Sequence, residues 1–277
     1  MTRWMTLFAV LGCALSVRAD EPFRQVEFPS LDGLTITADL YVANANERTP
    51  FLVLCHQAGW SRGEYRQIAP KLVAMGFSCL AIDQRSGGAV EGVTNETAAR
   101  AQKVGKGVTY ADARQDIVAA LRHARKEYAK GALVAVGSSY SSALVLEIVG
   151  TEKSIADGVV SFAPGEYFAD LGKSPTFVQA GAAKLSVPVF ITSSKDEAGQ
   201  WRAIFGAIPS KKKQSFVPTT AGNHGARALW ERFSDSGDYW KALTGFLDQH
   251  FPRPKATKEK PKKEEPKPKK PKTEKEE

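Results

Sequence analysis

From residue 24 to residue 251 the chain alternates short apolar runs with longer stretches of helical spacing. Residues 24–43 (RQVEFPSLDGLTITADLYVA) alternate with period two around Asp32-Gly33, a pair suited to a tight hairpin turn, and predict two strands. Residues 50–57 (PFLVLCHQ) are apolar without alternation, as in a strand buried on both faces. The same pattern recurs at 77–85, 131–137, 156–164 and 187–194, and 212–220 reads as the last strand. Between these runs, 63–76, 111–129, 140–150 and 200–208 carry helical periodicity, and 226–251 supplies closing helices. Residues 86–110 are polar and glycine-containing and read as a connection. Buried strands alternating with helices imply an α/β fold: a mostly parallel sheet with helices on both faces and an antiparallel hairpin at one edge. No internal repeat is visible, so residues 20–251 are expected to form one domain.

The two ends break the pattern. Residues 1–19 carry Arg3, an apolar run from Met5 to Val17, and small residues before Asp20, the layout of a cleaved export signal. Cleavage is expected after Ala19, which implies a secreted or periplasmic protein; lipid anchoring at Cys13 is the rival reading. The mature chain should then have no transmembrane segment. Residues 252–277 are rich in Lys, Pro and Glu and lack the apolar side chains that offset ordering entropy, so a disordered tail is expected. Of the formal net charge of +8, the tail carries +5 and residues 1–19 carry +2, which leaves the domain near neutral. The basic balance therefore argues against specific nucleic-acid binding and for, at most, loose contact of the tail with an anionic envelope surface. Cys55 and Cys79 fall about three residues out of step on adjacent strands, roughly 10 Å at strand rise, too far for a disulfide. No cysteine spacing suits a metal, and no cofactor is implied.

Residues 137–141 read Gly-Ser-Ser-Tyr-Ser between a predicted strand and a predicted helix. A strand that turns sharply into a helix needs small residues two positions either side of the turning residue. That makes Ser139 the candidate nucleophile, with Ser141 where such elbows usually carry glycine. The competing structural reading is a serine capping the helix. A serine nucleophile needs a base. Among four histidines, His224 alone stands in a glycine-flanked loop after the last strand; His123 reads as a solvated helix residue, and His250 lies near the tail. The acid that orients the base should follow a strand between the two. Asp196 is the choice, with Glu197 and Glu166 as rivals. Asp83, which precedes the serine, reads with Arg85 as a structural ion pair or loop clamp. The backbone amides of Tyr140 and Gln57 are expected to form the oxyanion hole, with Ala58 the alternative to Gln57. Trp60 and His56 are expected at the substrate, with packing an equal alternative for Trp60.

Taken together, LDG (32–33 with Leu31), LCHQAGWSRGEY, AIDQRSGG, VGSSYSSAL, FITSSKDE and AGNHGARALW resemble the α/β-hydrolase superfamily, within it the dienelactone-hydrolase-like serine esterases. The resemblance spans nearly all of residues 23–251. It implies the α/β-hydrolase fold with eight strands and a triad of Ser139, Asp196 and His224. The dienelactone hydrolases proper use cysteine as nucleophile, and this chain has serine. The connection after SFAP (161–164) leaves little room for a large lid, which suits small or polar esters. The expected function is a secreted serine hydrolase acting on carboxylic esters. The alternatives are an acyltransferase or amidase on the same triad, or an inert hydrolase-fold binding protein.

Overall fold

The computed structural model describes residues 22–43 and 48–253. The expectations for the export signal, for Cys13 and for the tail beyond Arg253 lie outside the described residues. In chain order the elements are β1 (Arg24–Pro29), β2 (Thr35–Tyr41), β3 (Phe51–Cys55), α1 (Ala69–Ala74), β4 (Ser78–Ile82), β5 (Ala89–Val90), β6 (Val93–Thr94), α2 (Glu96–Lys103), α3 (Arg114–Glu127), β7 (Leu133–Ser138), α4 (Tyr140–Thr151), β8 (Gly158–Phe162), α5 (Phe177–Ala182), β9 (Val189–Thr192), α6 (Arg202–Ala207), β10 (Lys213–Phe216) and α7 (Ser236–His250). Eight strands form one sheet in the order β1-β2-β4-β3-β7-β8-β9-β10. β1 and β2 pair antiparallel, as do β2 and β4; every other neighbour is parallel.

Strand alternation splits the core into two layers. Phe51, Val53 and Cys55 of β3 face a layer built with α3, α4, α5 and α6. Leu52 and Leu54 face the other, built with α1 and α7. Cys79 pairs with Leu52 and Cys55 with Ile82, so the two cysteines are three steps apart, buried and free. Helix α4 is largely apolar because its residues from Tyr140 to Ile148 are buried, with Glu147 paired to Arg114 at 2.7 Å. Its contact with α5 is so close that a Cβ on Gly150 would lie 2.0 Å from the Gly181 carbonyl oxygen.

Some elements differ from the sequence reading. The stretch 86–110 holds the β5–β6 ribbon and α2, which is capped by the Asn95 side chain on the Ala98 amide at 2.7 Å. The stretch 63–76 is not one helix; a 3₁₀ turn at Arg62–Tyr65 precedes α1. Asp83 pairs with Arg62 at 2.6 Å, while Arg85 pairs with Asp116 at 2.7 Å and Asp32 at 2.9 Å. Asp83 and Arg85 are therefore both structural clamps between loops, each with other partners rather than with one another. His123 is not a solvated residue: it stacks on Phe28 with ring centroids 4.3 Å apart. Past residue 251, Arg253 donates to the Met75 carbonyl at 2.5 Å and pairs with Asp248.

Candidate active site

Residues at the outgoing ends of β3, β7, β9 and β10 meet on one side of the sheet, where open parallel sheets hold their ligands. At the end of β7, Ser139 has φ 57° and ψ −123°, a conformation that side chains avoid and that marks a strained turn. A Cβ on Gly137 would lie 2.5 Å from the Ser142 backbone nitrogen, which explains the glycine. The Ser139 side chain makes no capping hydrogen bond, against the helix-cap reading. The other serines are occupied. The Ser138 hydroxyl donates to Glu64 at 2.7 Å, Ser141 to the Cys55 carbonyl at 2.7 Å, and Ser142 to the Ser139 carbonyl at 2.6 Å. Ser141 also accepts from the Ser138 amide at 2.9 Å, so the hydroxyl standing in for the elbow glycine ties the turn together. The Tyr167 phenol, which donates to the Ala163 carbonyl at 2.8 Å, lies near the Ser139 hydroxyl, a neighbour that no sequence spacing pointed to.

His224 and its loop follow β10. Its Nδ1 is hydrogen-bonded to Glu197, not to Asp196. This corrects the sequence choice in favour of its weighed rival. The 3₁₀ turn Asp196–Gly199 directs the second acid inward and leaves Asp196 exposed, bonded to the Ser194 hydroxyl at 2.7 Å. Burial works to raise the Glu197 carboxyl, but the bonds from His224 and Ser194 outweigh it and hold the group below its ordinary value. Glu166, the other rival, caps α5 through the Val178 and Gln179 amides at 2.9 and 2.8 Å. The histidine loop is pinned to the serine elbow, because the Ala226 amide donates to Ser138 Oγ at 2.8 Å. Gly225, at φ 73°, permits this approach; a Cβ there would lie 2.5 Å from the same oxygen.

The oxyanion and substrate assignments change in part. The Gln57 amide already donates to Glu64 at 2.8 Å, so it is not free to meet a substrate oxygen. Among the described residues the amides of Ala58 and Tyr140 have no acceptor, and these two flank the elbow. His56 is no substrate residue. It is fully buried; its Nε2 accepts from the Gln84 amide at 3.1 Å and its Nδ1 bonds the Gln57 carbonyl at 2.8 Å. Burial pushes it down to about 4, so it is a neutral strut. Trp60 is half-buried and packs on Trp230, with parallel rings 5.3 Å apart, while Arg227 lies over its ring. An open cleft of about 530 Å³ is bounded by Asp196, Glu197, Asn223, His224 and Arg227. Among the described residues no cluster of His, Cys, Asp or Glu could hold a metal ion. No helix there is long and apolar enough to cross a membrane.

The arrangement places a strained serine, largely buried at 8% exposure, an acid-held histidine and two free amides on adjoining loops, a set able to carry out acyl transfer through a serine. Comparison with solved structures gives the same fold. The esterase Pf2001 of Pyrococcus furiosus is 18% identical over 83% of this chain and 93% of its own, with a TM-score of 0.62. A dienelactone hydrolase from Anabaena variabilis is 14% identical over 83% of this chain and 99% of its own, also at 0.62. Est1E from Butyrivibrio proteoclasticus is 14% identical over 82% and 98%, at 0.61. No curated protein matches the chain. The sequence profile of one hydrolase family, described as serine aminopeptidase, S33, matches residues 46–194, more than half of the 277 residues. The chain belongs to this family of α/β hydrolases.

Proposed function

We propose that the protein is a serine hydrolase that cleaves carboxylic esters of small or polar substrates. Ser139 Oγ attacks the acyl carbonyl, and His224 takes its proton and gives it to the leaving alcohol. Glu197 holds the Nδ1 proton and stabilises the imidazolium. The amides of Tyr140 and Ala58 receive the oxyanion. Water, activated by the same histidine, then releases the acyl group. The observation that carries the reading is the Ser139 conformation, φ 57° and ψ −123°, beside a histidine loop fastened to the same turn.

Turnover of short-chain p-nitrophenyl esters, with a burst equal to the enzyme concentration, is the expected result. Faster cleavage of aminoacyl p-nitroanilides would move the reading to a peptidase. Transfer of the acyl group to added alcohols in preference to water would make the protein an acyltransferase. Export belongs to the same proposal, and the exported protein should begin at Asp20; an uncleaved start would count against it.

A further inference from the structure

We propose that Glu64 is a positioning residue of this site, its buried carboxylate holding the oxyanion loop, the serine elbow and the histidine loop in one register. The proposal rests on the serine-hydrolase reading. Glu64 is completely buried. Its partners are hydrogen-bond donors rather than a cation, an expensive arrangement that a core amide or apolar residue would avoid. Each donor belongs to a different loop. Gln57 N–H, one residue before Ala58, donates to Oε2 at 2.8 Å. Ser138 O–H, one residue before Ser139, donates to Oε1 at 2.7 Å. Ser138 Oγ in turn accepts from Ala226, two residues beyond His224, at 2.8 Å. The Glu64 carbonyl accepts from Trp230 Nε1 at 2.9 Å, which fixes the turn that carries it. One carboxylate thus sets the placement of nucleophile, base and oxyanion amide, where an error of about 1 Å matters greatly.

Ionised, the carboxylate accepts from both the Gln57 amide and the Ser138 hydroxyl. A protonated carboxyl must present one O–H to a surrounding that already donates. Burial pushes this group up to about 7, although the Ser138 and Gln57 bonds oppose the rise. His224 faces it from the histidine loop, Cys55 from the end of β3 and Tyr65 from its own turn. Burial raises the Cys55 thiol and the Tyr65 phenol, so both stay neutral. That leaves Glu64 as a buried acid here that can titrate near neutrality.

The test uses the full chain with Glu64→Gln, Ser138→Ala and the double variant. Two quantities are read against pH: the rate of fluorophosphonate labelling at Ser139, and kcat and KM on a short-chain p-nitrophenyl ester. Thermal unfolding reports folding. Both single variants should lose about tenfold or more in kcat with KM little changed. The double variant should fall no further than the worse single. The acid limb should lose one proton in Glu64→Gln. Wild-type labelling with an unchanged acid limb in Glu64→Gln, or effects that simply add, overturns the proposal and leaves the esterase reading standing. If Glu64→Gln does not fold, Ser138→Ala decides alone: an unchanged kcat overturns the proposal. Absence of labelling at Ser139 in the wild type overturns the esterase reading and this proposal with it.

Discussion

Replacing Ser139 with glycine should make the protein more stable while abolishing its activity. The residue sits at φ 57° and ψ −123°, where a Cβ is crowded. Such strain costs about 1–3 kcal/mol at a single residue. Glycine adopts this conformation freely but loses about 0.5–1 kcal/mol to the greater freedom of the unfolded chain. The net expectation is a gain of about 1 kcal/mol, or about 2–4 °C in Tm for a domain of this size. Ser139→Ala is the control, because it removes the hydroxyl and keeps the Cβ. Urea and thermal unfolding of the three proteins give the comparison, and ester turnover should vanish in both variants. If Ser139→Gly is no more stable than Ser139→Ala, the elbow stores no strain and the reasoning that singles out this serine fails.

The identity of the acid is testable by paired substitutions. Glu197→Ala should cut kcat by about 10³–10⁴-fold, the scale of losing the group that holds a catalytic histidine. Asp196→Ala should leave kcat near wild type, and the reverse order would restore the acid first read from the sequence. Two buried groups set the acid dependence of stability in opposite senses. Burial lowers His56 to about 4, so the unfolded chain binds the extra proton and stability falls on acidification below about 6.5. Burial raises Glu64 to about 7, so the folded chain holds the extra proton and stability falls as pH rises from about 4.5 through about 7. Between about pH 5 and 6.5 the two slopes offset. Glu64→Gln should expose the His56 slope, about 1.4 kcal/mol per pH unit lost on acidification, in urea titrations. A flat profile in that variant would contradict the buried neutral state of His56.

The sheet was legible because each buried strand announces itself. The apolar stretches at the centre of β3, β4, β7 and β9 have no polar interruption, β8 carries only Ser161, and the Gly137–Ser141 spacing carries its own steric logic. What was not legible depends on turns too short to have a period. Asp196 and Glu197 are adjacent in sequence, and only the 3₁₀ turn decides which one faces His224. Gln57 and Ala58 are likewise adjacent, and the choice depends on Glu64, whose inward direction is set by another 3₁₀ turn. Helical periodicity from residue 63 would instead place Glu64 in a continuous amphipathic helix. His56 ends a strand at the active edge, which invites a role at the substrate. The Gln84 and Asn95 contacts that keep it inside come from 28 and 39 residues away. Helix α2 was missed because its residues ETAARAQK bury only small side chains and leave little apolar signal.

The most direct test is a fluorophosphonate reaction on the folded protein, with the modified peptide located by mass spectrometry. The account predicts a single adduct on Ser139, lost in His224→Ala and strongly slowed in Glu197→Ala. An adduct on Ser138, Ser141 or Ser142, or none on any serine of the folded protein, would contradict it.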